Sequence, residues 1–151
     1  MLRSQLNESL KQAMRAKDQC AVSTLRLILA ALKDRDIAAR GKGQTEGVDE
    51  EQILEMLQKM VRQRRDSIEM YRKGQRQDLV EKEEAEIAVI ERFLPQQMDE
   101  AAVREAVEGA ISEQNAESVK DMGRVMAVLK ERYAGRMDFA KASGMVKEQL
   151  S

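Results

Sequence analysis

Pro95 is the only proline among 151 residues, and it constrains the fold of this chain more than any other residue. Proline donates no backbone hydrogen bond, and its ring disfavours helix in the residue before it. A helix that reaches Leu94 should therefore end there. The residues beyond Phe93-Leu94-Pro95-Gln96-Gln97-Met98 should then begin a second structural unit. The expected division is a helical bundle over 1–95 and a smaller unit over 96–151.

On both sides of that break the residue types point to an all-α fold. Trp and His are absent, and there are only two Tyr and two Phe. Met, Leu, Ala, Glu, Gln, Lys and Arg dominate, and these lose little side-chain freedom in a helix. Before the proline, about four helices are expected. Leu2, Leu6, Leu10 and Met14 share a stripe that ends near Lys17. Asp18 can cap a second helix in which Val22, Leu25, Leu29 and Leu32 share a face broadened by Leu27 and Ile28. Asp49 with Gln52 forms a variant capping box ahead of Ile53, Leu57, Met60, Ile68 and Tyr71, and Gly74 stands where a left-handed cap would stop that helix. Leu79, Ile87, Ile90 and Leu94 mark the fourth.

After the proline, three short helices are expected. Asp99 can cap one with Val103, Val107 and Ile111. Ser118 and Asp121 can cap one with Val125 and Leu129, ended by Gly135, and Asp138 can cap the last, with Phe139, Ala142, Val146 and Leu150. The run Gly41-Lys42-Gly43-Gln44-Thr45-Glu46-Gly47 reads as a mobile surface loop, since it lacks both the glycine frame and the preceding strand of a Walker loop.

Charged residues make up 35 % of the chain but nearly cancel, to a formal net charge of −1. Their positions carry more than their total. From Lys59 to Arg76 the balance is +5, and from Asp78 to Glu100 it is −6, so two adjacent antiparallel helices would neutralise one another. Arg26, Arg64 and Glu83 each fall on or beside an apolar stripe. Either Arg64 and Glu83 form a partly buried pair, with Arg26 or Asp78 nearby, or these side chains snorkel into solvent from the edge of the stripe. From Ser118 onward the balance is +3, with Lys120, Arg124, Lys130, Arg132, Arg136, Lys141 and Lys147 against Asp121, Glu131, Asp138 and Glu148, and no obvious facing acidic helix except the preceding one. Lysine, arginine and exposed amides all present donors suited to a phosphate backbone.

No catalytic constellation is present. The absence of histidine removes the commonest general base and the mixed histidine metal sites. Cys20 lacks a histidine partner and reads as a small buried hydrophobe. No metal and no cofactor are expected. A single cysteine forms no internal disulfide, no segment reaches the roughly 18 apolar residues of a membrane span, and the N-terminus has no secretory apolar run, so a cytoplasmic location is expected.

Taken in order, Thr24-Leu25-Arg26, Gln63-Arg64, Arg76-Gln77-Asp78-Leu79, Glu83 and Glu86, Phe93-Leu94-Pro95-Gln96-Gln97, Asp121-Met122-Gly123-Arg124-Val125-Met126, Gly135, Asp138 and Val146-Lys147-Glu148-Gln149-Leu150 resemble the YqeY-like proteins over essentially the whole chain. The chain carries Met137 where that pattern has a small residue. The resemblance implies a two-part helical protein related to the C-terminal tail of GatB, a subunit of the glutamine-dependent tRNA amidotransferase. That tail is associated with gripping tRNA, while the amide chemistry belongs to other domains. A similar module assists tRNA binding in some glutaminyl-tRNA synthetases. The implied contacts fall on Arg124, Lys130, Arg136, Lys141 and Lys147, with Lys120 added from charge alone. The expected function is an accessory tRNA-binding protein, without catalysis of its own or DNA specificity, that works with an amidotransferase subunit or an aminoacyl-tRNA synthetase. The alternatives are a helical protein-interaction module and, least favoured, a carbon–nitrogen ligase acting alone with glutamine as amido donor.

Overall fold

A computed structural model describes every residue from Met1 to Ser151. The chain is all-helical, with seven α-helices, one 3-10 turn and no strand. It divides into two compact units, Met1–Pro95 and Gln96–Ser151.

The N-terminal unit contains α1 (Leu2–Ala16), α2 (Gln19–Gly41), α3 (Glu50–Lys73) and α4 (Gln77–Glu91). α3 packs along α4, α1 along α2, and α2 against α4. Leu6, Leu25, Ile28, Ile53, Met56, Leu57 and Ile90 are fully buried between them. Short polar side chains set the starts. Asp18 accepts from the Ala21 amide at 3.1 Å, and Asp49 and Gln52 exchange hydrogen bonds as a capping box. Lys17 takes a left-handed conformation that ends α1.

The structure corrects three expectations here. Leu27 does not broaden the buried face of α2, because that face is centred on Ala21, Leu25, Ile28 and Leu32, which leaves Leu27 pointing away from the core. Gly74 is not the left-handed residue after α3. Gln75 is, at φ 55°, while Gly74 has φ −86°. The 41–48 segment is tied down at its end, since Gly47 and Val48 are buried against Asp36.

The C-terminal unit contains α5 (Glu100–Glu113), a 3-10 turn (Val119–Asp121), α6 (Met122–Tyr133) and α7 (Phe139–Leu150). Each helix packs on the other two. Val107, Val125, Leu129, Met137, Ala142 and Val146 form a core with no solvent exposure. Asp99 caps α5 through the Ala102 amide, and Asp138 caps α7 through the Ala140 and Lys141 amides. Gly135, at φ 79°, makes the turn between α6 and α7. The segment after Pro95 holds that turn: the Gln97 side-chain amide donates to the Gly135 carbonyl at 2.6 Å, and the Met98 amide donates to the Arg136 carbonyl at 2.9 Å.

Candidate nucleic-acid interface

A cation can contact a phosphate only if the fold leaves it exposed and unpaired, so the partners of each basic residue decide which can serve. In the N-terminal unit Arg3, Arg64, Arg65, Arg72 and Arg76 each have a carboxylate partner. Arg64 Nε donates to Glu86 Oε2 at 2.9 Å, with side chains only 15 % and 12 % exposed. Arg64 therefore does not pair with Glu83. Glu83 lies about one turn before Glu86 on α4, and the register of the two helices brings Glu86 level with Arg64. Arg26 is exposed, because the Val22–Arg26 line runs along the outward edge of α2. Asp78 is also exposed and pairs with Arg76 at 3.2 Å. Further along the α3–α4 contact, Arg65 meets Glu91 and Arg72 meets Glu84. These acids neutralise much of the basic run on α3.

A second buried charge is Asp36 on α2, which no local sequence pattern marks as paired. Arg3 grips both of its oxygens at 2.6 Å and also donates to the Val48 carbonyl at 2.8 Å, while the Val48 amide donates to Asp36 Oδ1 at 3.0 Å. These bonds tie α1, α2 and the 41–48 loop together. The Arg3 hydrogen bonds, opposed by burial and helped by the Val48 amide, lower the Asp36 pKa to about 2. Asp36 lies four residues after Leu32 on the buried side of α2, the same spacing that sets Arg64 and Glu83 beside apolar stripes. A Cβ at Gly47 would stand 2.4 Å from Asp36 Oδ1, so the loop needs glycine there. The buried Thr24 hydroxyl has no hydrogen-bond partner.

In the C-terminal unit the six sequence-selected cations are all exposed. Arg124 is partly occupied: it donates to the Gln114 carbonyl at the end of α5, at 2.9 Å, and lies 3.3 Å from Asp121. Asp121 is held below the usual carboxylate range by the Glu117 and Ser118 amides first and by Arg124 last. Arg136 reaches the Gln96 carbonyl at 3.5 Å. The side chains of Lys120, Lys130, Lys141 and Lys147 make no ion pair. Arg132, which the resemblance did not select, is held by Glu113 of α5 at 2.6 Å.

These cations do not form a single line. Arg124 and Lys130, like Lys141 and Lys147, are six residues apart, which sets each pair about 120° apart around its helix. They straddle the outer faces of α6 and α7. The acids Glu100, Glu105 and Glu108 line an open, shallow depression on α5. No group of three or more His, Cys, Asp or Glu side chains is placed to hold a metal ion. No helix is long and apolar enough to cross a membrane. Cys20 is exposed rather than buried, because it lies one residue, about 100° of helix, off the Ala21–Leu25 line.

The family profile described as "Yqey-like protein" matches residues 3–150, nearly the whole of the two-unit arrangement. The chain belongs to the YqeY family. It is also similar to proteins named "Altered inheritance of mitochondria protein 41, mitochondrial". The Lachancea thermotolerans protein is 42 % identical over 91 residues, 60 % of this chain and 46 % of that protein. The Saccharomyces cerevisiae (strain YJM789) protein is 38 % identical over 93 residues, 62 % and 48 % of the two chains. In Kluyveromyces lactis the match is 38 % over 88 residues, 58 % and 45 %. The matched segment spans about half the length of these relatives. Their names place those proteins in mitochondria, which overturns the cytoplasmic expectation. That expectation rested on a lone cysteine and on the lack of a secretory apolar run, and neither feature distinguishes cytoplasm from mitochondrion.

Proposed function

We propose that this YqeY-family chain is an accessory tRNA-binding protein, working with a tRNA-dependent amidotransferase or an aminoacyl-tRNA synthetase and performing no catalysis of its own. The observation that carries this reading is the state of the C-terminal lysines. Lys120, Lys130, Lys141 and Lys147 stand exposed and without ion pairs on the part of the chain that resembles the GatB tail. Exposed, unpaired ammonium groups displace counterions from a phosphate backbone without first breaking an internal pair. With so few aromatic side chains in the unit, contact runs through phosphates rather than stacked bases.

The test is a titration of the purified chain against folded tRNA and against duplex DNA across a salt series, with Lys130→Ala/Lys147→Ala alongside. Arg124 is a poor probe, because its loss also removes a cap from α5. Preference for tRNA, a steep salt slope and weakened binding by the double variant are expected. Equal, weak binding of tRNA and DNA that the variant leaves unchanged would overturn the reading.

A further inference from the structure

The outward face of α2 has no partner within its unit, although the helix runs 23 residues. Its buried side is the line of Ala21, Leu25, Ile28 and Leu32. On the opposite side Leu27 and Ile37 are 48 % and 57 % exposed, with exposed Ala30 and Asp34 between them. Along one edge of this face run Arg26, Lys33 and Arg40, in steps of seven residues. Seven residues make nearly two full turns, so the three cations form an almost straight row with about 10 Å between neighbours. Arg26 and Lys33 make no ion pair, and Arg40 only adds its field to the buried Asp36. On α3, by contrast, Arg64, Arg65 and Arg72 each meet a glutamate of α4.

An exposed, mainly apolar strip, interrupted by Asp34 and flanked by a charge row of seven-residue period, is a surface on which a second helix can pack side by side. We infer that this face docks an amphipathic helix of a partner protein. Its apolar residues would cover Leu27 and Ile37, and its carboxylates, repeating every seven residues, would meet Arg26, Lys33 and Arg40. Charge complementarity selects this occupant. A second copy of the chain would set one basic row against another, and the only exposed acid between the ends of α2 is Asp34. A nucleic-acid backbone would answer the cations but leave Leu27 and Ile37 against phosphate, with no aromatic residue on α2 to stack a base. The inference is independent of the proposed tRNA contact.

Cys20, the only cysteine, is exposed near the start of α2 and can carry a polarity-sensitive fluorophore. The probe is a designed helical peptide of three heptads with leucine along its seam and glutamate along both flanks. The control peptide has lysine in place of glutamate. The expected result is saturable binding of the glutamate peptide and at least tenfold weaker binding of the lysine peptide. Arg26→Glu/Lys33→Glu should reverse that preference. Leu27→Asp/Ile37→Asp should abolish binding of the glutamate peptide while leaving the circular dichroism and melting unchanged. Equal affinity for both peptides, no binding, or indifference to either double variant would overturn the inference. So would a fluorescence change that follows protein concentration alone, which would assign the face to a second copy. Loss of tRNA affinity in Arg26→Glu/Lys33→Glu to the same degree as in Lys130→Ala/Lys147→Ala would assign it to nucleic acid instead.

Discussion

The arginines between α3 and α4 and the lysines on α6 and α7 have similar sequence surroundings, namely polar positions on amphipathic helices, but they occupy different physical settings. Arg64 lies against Glu86 with both side chains largely out of water, and Arg65 and Arg72 extend the same contact toward solvent. A planar guanidinium suits this use, because it stays charged and aligns with a carboxylate. Lys130, Lys141 and Lys147 have no such partner. A basic cluster in sequence is therefore a poor guide to a binding surface until its acids are located. α4 supplies acids to α3, whereas α5 engages Arg132 and the backbone-bonded Arg124 at the edge of α6.

The largest expected effect tests the buried half of this comparison. Arg64→Ala leaves Glu86 nearly out of water without its partner, and the expected loss is about 3–5 kcal/mol in denaturant unfolding of the full chain. Replacing both residues, as Arg64→Met/Glu86→Leu, should recover most of that loss, since apolar side chains of similar volume suit a site this dry. A loss below about 1 kcal/mol for Arg64→Ala would put the pair in the class of surface bridges and remove the contrast between the units.

The second buried carboxylate predicts a pH dependence of known sign. Asp36 has its pKa lowered from 3.8 to about 2 by Arg3 and the Val48 amide. A group with a depressed folded pKa binds fewer protons in the native state than in the unfolded one. Its contribution is therefore fully present above about pH 4 and is lost as pH falls toward 2, and it amounts to about 2 kcal/mol. Glu50, Asp78, Glu113 and Asp121 are also lowered, so the whole chain loses stability in acid. The part due to Asp36 is the difference between wild type and Asp36→Asn. That difference should be about 2 kcal/mol at pH 6 and should shrink steadily below pH 4. A difference that does not change with pH would mean that Asp36 is ordinary in its titration and matters only by shape.

Local signals in the sequence determine this fold more directly than distant ones. Asp18, Asp49, Asp99 and Asp138 all cap helices as their positions imply, because a cap involves residues only two or three apart. The apolar periods gave seven helices and no strand, for the same reason. Arg3 and Asp36 are separated by 33 residues, and no local pattern specifies that α1 and α2 bring them together. The choice of Glu86 over Glu83 turns on the register between two helices, which periodicity within α4 leaves open by one turn. Leu27 and Cys20 were misplaced because the buried arc of α2 is narrower than its string of apolar residues. For the candidate interface, the sequence supplies candidate cations, and the fold distinguishes Arg124, which caps α5, from the unpaired lysines.

A smaller effect is expected where cations are free. If Lys130 and Lys147 each neutralise a phosphate, removing both should lower the slope of log affinity against log salt by roughly 1.4–1.8, according to whether the contacted RNA is single- or double-stranded. Affinity at low salt should fall by about tenfold, or ~1.4 kcal/mol. Stability should change by no more than about 0.5 kcal/mol, since neither ammonium holds anything in the fold. Binding that falls without a change in slope would point to a structural cause and weaken the distinction between structural arginine and available lysine.

The smallest expected effect concerns Glu83, one turn from the buried pair. Glu83 is only half-buried and makes no ion pair, so truncation to alanine removes no partner and leaves no cation stranded. Its expected cost is within about 0.5 kcal/mol. Glu86→Ala, which strands Arg64, should cost several times more. The two variants delete the same functional group from the same helix, so helix propensity and net charge cancel in the comparison, and what remains is the position of each carboxylate relative to Arg64. Equal losses would mean that Arg64 is shared between both glutamates in solution. The N-terminal unit would then hold its arginine in a mobile cluster, closer in character to the open lysines of α6 and α7 than the single contact at 2.9 Å implies.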